Sequence, residues 1–159
     1  MKILVLYDSV YGNTKEIARA IAGAFGKSDT VKLVQADEVK LSDLNSLDLF
    51  IAGSPTNGGR ATPVLQTFLD SIPSNALKGV KVASFDTRFE AKNVNFLLKT
   101  LLKTFDYAAP KIATILTSNG GQLAVPPEGF FVTGKEGPLK QSELARAARW
   151  TAALCKLKK

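Results

Sequence analysis

The chain has 159 residues, 45% of them hydrophobic and 22% charged, with a formal net charge of +7. That length and balance suit one globular domain, spanning 1–159, able to bury roughly 70% of the surface of its unfolded chain. Histidine is absent and Cys155 is the only cysteine, which excludes histidine catalysis, histidine metal sites, a cysteine zinc site and an internal disulfide.

Residues 2–7, KILVLY, form a near-continuous apolar run and predict a buried parallel strand. One lysine followed by so few apolar residues is too short for a signal-peptide core or a membrane span, so the expected location is the cytoplasm. Residues 13–25 place Ile17, Ala18, Ile21, Ala22 and Phe25 at helical spacing, and Gly26 supplies a stop. A second strand is expected over 31–35, one helical turn over 41–47 and a third strand over 47–53. The loop SPTNGGRATP follows, then a helix over 63–72 with Thr62 as cap and Pro63 in its first turn.

A fourth strand is expected over 79–85, with a loop beginning at Asp86 and a helix over 91–105. The β-branched run KIATILT predicts a fifth strand over 111–117. Residues 118–128 are too rich in Gly, Pro and Asn for a regular element, whereas GFFVTG, 129–134, is strand-like. The last helix is expected over 141–156. Strand and helix thus alternate about five times, which predicts an α/β fold: a doubly wound five-stranded parallel sheet, order 2-1-3-4-5, with helices on both faces.

In such sheets ligands bind beyond the carboxyl ends of the strands, where the strand order reverses. Three loops there carry unusual chemistry, at 8–14, 54–62 and 86–90, and strands 1, 3 and 4 are adjacent in the predicted order. The first, SVYGNT, leads directly into a helix. Its free peptide N–H groups and the helix dipole favour negative charge. Ser9 and Thr14 add hydroxyls, Asn13 an amide, and Gly12 permits a close backbone approach. Together they predict a neutral cradle for a terminal phosphate monoester; the competing reading is that Asn13 or Thr14 only caps the helix.

Other phosphate signatures fail. The turn has too few glycines for G-x-G-x-x-G, and GFFVTGKE, 129–136, ends in Glu136 where a P-loop needs Ser or Thr for Mg²⁺. The GKS at 26–28 has Ile21 where the first P-loop glycine belongs. A receiver-type site would need an acid at the end of the third strand, which instead reads Ala52-Gly53-Ser54-Pro55.

The segment DSVYGNT resembles the FMN-phosphate loop of the flavodoxins and related FMN-binding domains, [ST]-x-[TY]-G-x-T. GSPTNGGRATP resembles their second FMN loop, in the form found in reductase and quinone-oxidoreductase domains, and VASFDTRF stands where the third belongs. PPEGFFVTGKEGPL is similar to a subgroup of the same family. The resemblance covers essentially the whole chain. It implies FMN with its phosphate on Ser9, Val10, Tyr11, Gly12, Asn13 and Thr14. It implies that Pro55, Thr56, Asn57, Gly58 and Gly59 line the flavin ring, with Gly58 the candidate for a peptide that rotates on reduction. Asp86, Thr87, Arg88 and Phe89 would border the pyrimidine edge.

The chain departs from the family in two ways. Its only Trp is Trp150, in the last helix, so the aromatic flanks usual for the ring are thin. It is also basic where electron carriers of this family are acidic. Residues 1–50 carry six Lys/Arg against seven Asp/Glu, and residues 51–159 carry fifteen against seven. Most of this charge is expected on solvated faces, including Lys92, Lys99, Lys103 and the C-terminal KLKK. Arg60 and Arg88, in the loops near the ring, are expected to make its reduction potential less negative.

The resemblance implies electron transfer between protein partners, with an acidic redox partner suited to the basic half. A small FMN-dependent NAD(P)H/quinone-type oxidoreductase is the second reading, and an FMN-free binding module on the same fold the third. Nucleic acid is not an expected partner, because no aromatic-interleaved basic strand or recognition helix is present. The sequence leaves the oligomeric state open.

Overall fold

A computed structural model describes residues 1–90 and 107–157. The chain runs β1 (Lys2–Tyr7), α1 (Asn13–Gly23), β2 (Thr30–Gln35), a 3₁₀ turn (Leu41–Leu44), β3 (Leu49–Pro55), α2 (Pro63–Asp70) and β4 (Lys81–Phe89). It continues through α3 (Ala108–Ser118), β5 (Gln122–Leu123), β6 (Glu128–Val132) and α4 (Glu143–Cys155). The helix expected over 91–105 lies outside the described residues, as does the end of the KLKK tail.

The strands form one parallel sheet in the order β2-β1-β3-β4-β5, with β6 also paired to β4. This is the predicted doubly wound order. The occupant of its fifth position differs from the expected one. Residues 111–117 are not a strand but most of α3, because Ala108, Ile112 and Leu116 recur every fourth residue and are buried together. Pro110 sits in the first turn, where a missing N–H costs no hydrogen bond. Two short strands fill the position instead: β5 pairs with Lys81 and Val82, and β6 with residues 85–89.

The period-two alternation of β1 and β3 sends successive side chains to opposite faces. Leu4, Leu6, Phe50 and Ala52 pack with Leu65 and Leu69 of α2 and Ile112 and Leu116 of α3. Ile3, Val5, Leu49 and Ile51 pack on the other face with Ile17 and Ile21 of α1 and Ala147 and Leu154 of α4. Gly53 is required between the layers, because a Cβ there would lie 2.1 Å from the Phe85 ring. Trp150 belongs to this second layer, packed edge-on against Phe85 and Phe130 at 6.4 and 6.3 Å between ring centres.

A second correction concerns β4. It does not end at residue 85: Asp86 and Thr87 pair with Ser54 and Pro55 of β3, and Asp86 to Phe89 also face β6. The expected third loop is therefore the end of a strand, paired on both sides at Asp86 and Thr87 and on one side at Arg88 and Phe89. Among the described residues no helix is long and apolar enough to cross a membrane.

Candidate functional site

A cavity of about 590 Å³ opens at the carboxyl ends of β1, β3, β4 and β6. That volume falls within the usual range for small-molecule sites. The 9–14 turn contributes Ser9, Val10, Tyr11, Asn13 and Thr14 to its wall. The loop after β3 contributes Pro55, Thr56, Asn57 and Gly58, and the end of β4 contributes Thr87, Arg88 and Phe89. Three expected residues do not line it: Gly12, Gly59 and the fully buried Asp86. Two that sequence reasoning missed do, Val132 at the end of β6 and Lys135 just beyond it.

The first turn is built by its side chains. Gly12 stands before α1 at φ +94°, a backbone shape that other residues adopt only under strain. The Ser9 hydroxyl oxygen accepts from Gly12 N–H at 3.1 Å and from Lys15 N–H at 3.3 Å. Ser9 therefore does the capping that Asn13 or Thr14 was the alternative candidate to do. The Thr14 hydroxyl is buried and lies 2.8 Å from that of Thr87, tying α1 to β4. The Asn13 amide donates to the Glu136 carbonyl at 3.1 Å, so it braces the turn from outside. The peptide N–H groups of Val10, Tyr11, Asn13 and Thr14 have no acceptor among the described residues. Those of Asn13 and Thr14 belong to the first turn of α1, where N–H groups project from the helix end.

The second turn is made by its backbone. Asn57 and Arg60 exchange both peptide hydrogen bonds, at 2.9 and 3.1 Å, around Gly58 and Gly59 at φ +55° and +75°. Positive φ at both central residues is the type I′ arrangement, which glycine accommodates without strain. The base of the loop is closed by Ser54, whose oxygen accepts from Thr62 N–H at 2.9 Å. The Thr62 hydroxyl in turn donates to Asp8 beyond β1 and caps α2, as its position before Pro63 predicts. Thr56 accepts from Ala108 N–H at 3.0 Å and its own N–H reaches the Thr87 carbonyl at 2.9 Å. At the tip, Lys111 donates to the Gly59 carbonyl at 2.6 Å.

Beneath this loop, Asp86 receives both arms of Arg88 at 2.6 and 2.7 Å and the Ala109 N–H at 2.8 Å. Burial pushes the Asp86 carboxyl above the usual carboxylate range, while Arg88, Ala109 and Thr56 pull it back. Arg88 lies 3.6 Å from the Tyr107 ring centre, and Gly129 leaves the room its guanidinium needs. The charge of Arg88 is thus spent on Asp86. Arg60 lines a separate hollow with Lys111 and Gln66, not the cavity. The basis for expecting these two arginines to act on a ring in the cavity is therefore removed.

Exposed apolar side chains crowd the cavity: Val10 is 62% exposed, Tyr11 48% and Phe89 53%. A concave site with an apolar rim and a polar turn at one end is suited to a flat ligand carrying an anionic tail. A doubly wound parallel sheet in this strand order, with such a crevice at its switch point, is a flavodoxin-like α/β domain.

The family described as "Flavodoxin domain" matches residues 4–126, and the chain belongs to that family. It is 35% identical over 85 residues to a flavodoxin of Picosynechococcus sp., covering 53% of this chain and 50% of that protein. It is 38% identical over 73 residues to a flavodoxin of Aquifex aeolicus, covering 45% of this chain and 40% of that protein. The matches thus span about half the length of these curated relatives. The oxidised flavodoxin 1 of Bacillus cereus superposes with a TM-score of 0.78 over 100% of both chains at 21% identity, a likeness of fold. Family membership and the flavoprotein relatives imply a flavin cofactor.

Proposed function

We propose that this chain binds FMN in the cavity and passes electrons between protein partners. The reading is carried by one observation: a neutral turn with unpartnered peptide N–H groups opens one end of an apolar-rimmed cavity. The residues fit the group. The 9–14 turn would take the phosphate through peptide N–H groups and the Ser9 hydroxyl. Pro55, Thr56, Asn57 and Gly58 would flank the ring on one side, with Tyr11, Arg88 and Phe89 toward its edges. FMN supplies one- and two-electron chemistry that no side chain here offers. The chain contributes binding, orientation and exclusion of water.

In this reading the whole chain is one flavodoxin-like domain, and Asp86 and Gly59 act indirectly. Asp86 holds Arg88 and the start of α3 under the second turn. Gly59 fixes its tip through Lys111. A net charge of +7 supports an acidic redox partner, drawn in by an attraction that added salt screens.

The second reading, an NAD(P)H/quinone-type oxidoreductase, is favoured by one observation. Trp150 is committed to the core, and the aromatic groups at the cavity, Tyr11 and Phe89, are exposed, which leaves space for a small acceptor to stack. The test has two stages. Purified protein should show flavin absorbance, and apoprotein should bind FMN in strong preference to riboflavin. Steady-state turnover of NAD(P)H with a quinone, in the absence of other proteins, then separates the readings: negligible turnover supports the carrier, and sustained turnover overturns it.

A further inference from the structure

The 9–14 turn is neutral, and a neutral cradle leaves a phosphate's charge uncompensated. The charge on the cavity wall comes from another element. Beyond β6 the chain turns back as a hairpin. Val132 bridges Leu139, Thr133 N–H reaches the Pro138 carbonyl at 2.9 Å and Gly137 N–H the Gly134 carbonyl at 3.0 Å. The hairpin is clamped on the first turn. Asn13 donates to the Glu136 carbonyl at 3.1 Å, and a Cβ on Gly137 would stand 2.4 Å from the Asn13 amide oxygen. Lys135, the residue before Glu136, lines the cavity.

Lys15 directly follows the turn but lies outside the cavity lining, and, Lys135 apart, the remaining cations near the site are paired or line a separate hollow. Arg88, the other cation on the wall, is held by Asp86. Lys111 and Arg60 line a separate hollow, and Lys140 pairs with Glu90. Lys135 forms no ion pair among the described residues, and the nearest acid in sequence, Glu136, offers its backbone carbonyl to Asn13 and is not part of the cavity lining.

We infer that Lys135 is the counter-cation for the anionic end of the ligand, supplied by the hairpin and not by the phosphate turn. This rests on the reading that FMN binds with its phosphate on the 9–14 turn. An ammonium on a flexible four-carbon stem can meet a dianion as a point charge without displacing the peptide donors. Its effect is specific to the phosphorylated ligand and is weakened by salt.

The test titrates apoprotein with FMN and with riboflavin, following flavin fluorescence, at low salt and at about 0.5 M KCl. Wild type, Lys135→Gln, Lys135→Arg and, as the control, Lys27→Gln at an exposed lysine outside the cavity lining are compared. Lys135→Gln should weaken FMN binding by roughly threefold to tenfold at low salt, with most of the loss gone at high salt. Riboflavin affinity should stay within about twofold, and Lys135→Arg should restore FMN binding. The inference is overturned if wild type prefers FMN but Lys135→Gln leaves that preference and its salt dependence unchanged. It is also overturned if both flavins lose affinity equally. A wild type with no preference for FMN overturns this inference and the phosphate-turn reading together.

Discussion

The 9–14 turn is held by side chains from three directions, whereas the 57–60 turn is held by its own backbone and by one lysine at its tip. Ser9 stitches the first turn internally, Thr14 ties it to Thr87 of β4, and Asn13 ties it to the hairpin after β6. The second turn closes through the paired peptides of Asn57 and Arg60, with Gly58 exposed and only Lys111 reaching its tip. The difference separates two tasks. A preorganised cradle binds an anion without paying ordering entropy. A turn of two glycines with positive φ can change its peptide orientation at small conformational cost.

The largest effect comes from undermining the second turn from below. Asp86→Ala leaves Arg88 without its partner in a buried site and frees the Ala109 N–H, and should destabilise the fold by about 3 kcal/mol in urea unfolding. Hydrogen exchange should rise through residues 56–60 and stay unchanged at 9–14. Equal loosening of both turns would break the distinction between them.

The glycines sharpen it next. Gly12 at φ +94° lies outside the left-handed region that other residues visit, and Gly58 at +55° lies within it. A Cβ meets nothing within 4 Å at either position, so only backbone strain separates them. Gly12→Ala should cost about 1–2 kcal/mol and Gly58→Ala about 1 kcal/mol or less, measured by thermal unfolding. Gly12→Ala should also lower FMN affinity, whereas Gly58→Ala should act mainly on the reduction potential.

The brace on the first turn should depend on pH. Glu143 accepts from Phe131 N–H at 2.7 Å and pairs with Arg146, fixing the end of β6 from which the hairpin springs. Burial raises the Glu143 pKa, but Arg146, the Phe131 N–H and Lys140 outweigh it and leave the group below its ordinary range. Its contribution is therefore complete above the unfolded value of about 4.3 and is lost as pH falls through the lower folded value. Glu143→Gln should be about 1–2 kcal/mol less stable than wild type at pH 7, with the gap closing below about pH 4. The smallest effect is expected from Lys111→Met: about 0.5 kcal/mol or less in stability, but faster amide exchange at Gly58 and Gly59.

The sheet order, the first turn and the loop after β3 were legible because each has a local signature. Apolar runs mark β1 and β3, a hydroxyl-rich turn with one glycine precedes α1, and Thr62-Pro63 announces α2. Segment 111–117 misled because its β-branched residues favour a strand in isolation, while burial of Ala108, Ile112 and Leu116 on one face decides for a helix. The four-residue spacing of Ala108, Ile112 and Leu116 begins before the segment, with Pro110 in the first turn of the helix. The paired end of β4 could not be read locally, since pairing of Asp86 to Phe89 depends on β6, some forty residues later. Lys135 had a usable signal. It follows a strand-like segment between Gly134 and Gly137, and the rule that placed ligands at the ends of β1, β3 and β4 applies equally to β6.

The most direct test of a phosphate cradle at the start of α1 is an amide chemical-shift map of apoprotein titrated with FMN and, in parallel, with riboflavin. FMN should move the Val10, Tyr11, Asn13 and Thr14 amides strongly and riboflavin should leave them nearly in place, while both move residues 56–58. Equal shifts from the two flavins at 9–14, or none there with FMN, would contradict it.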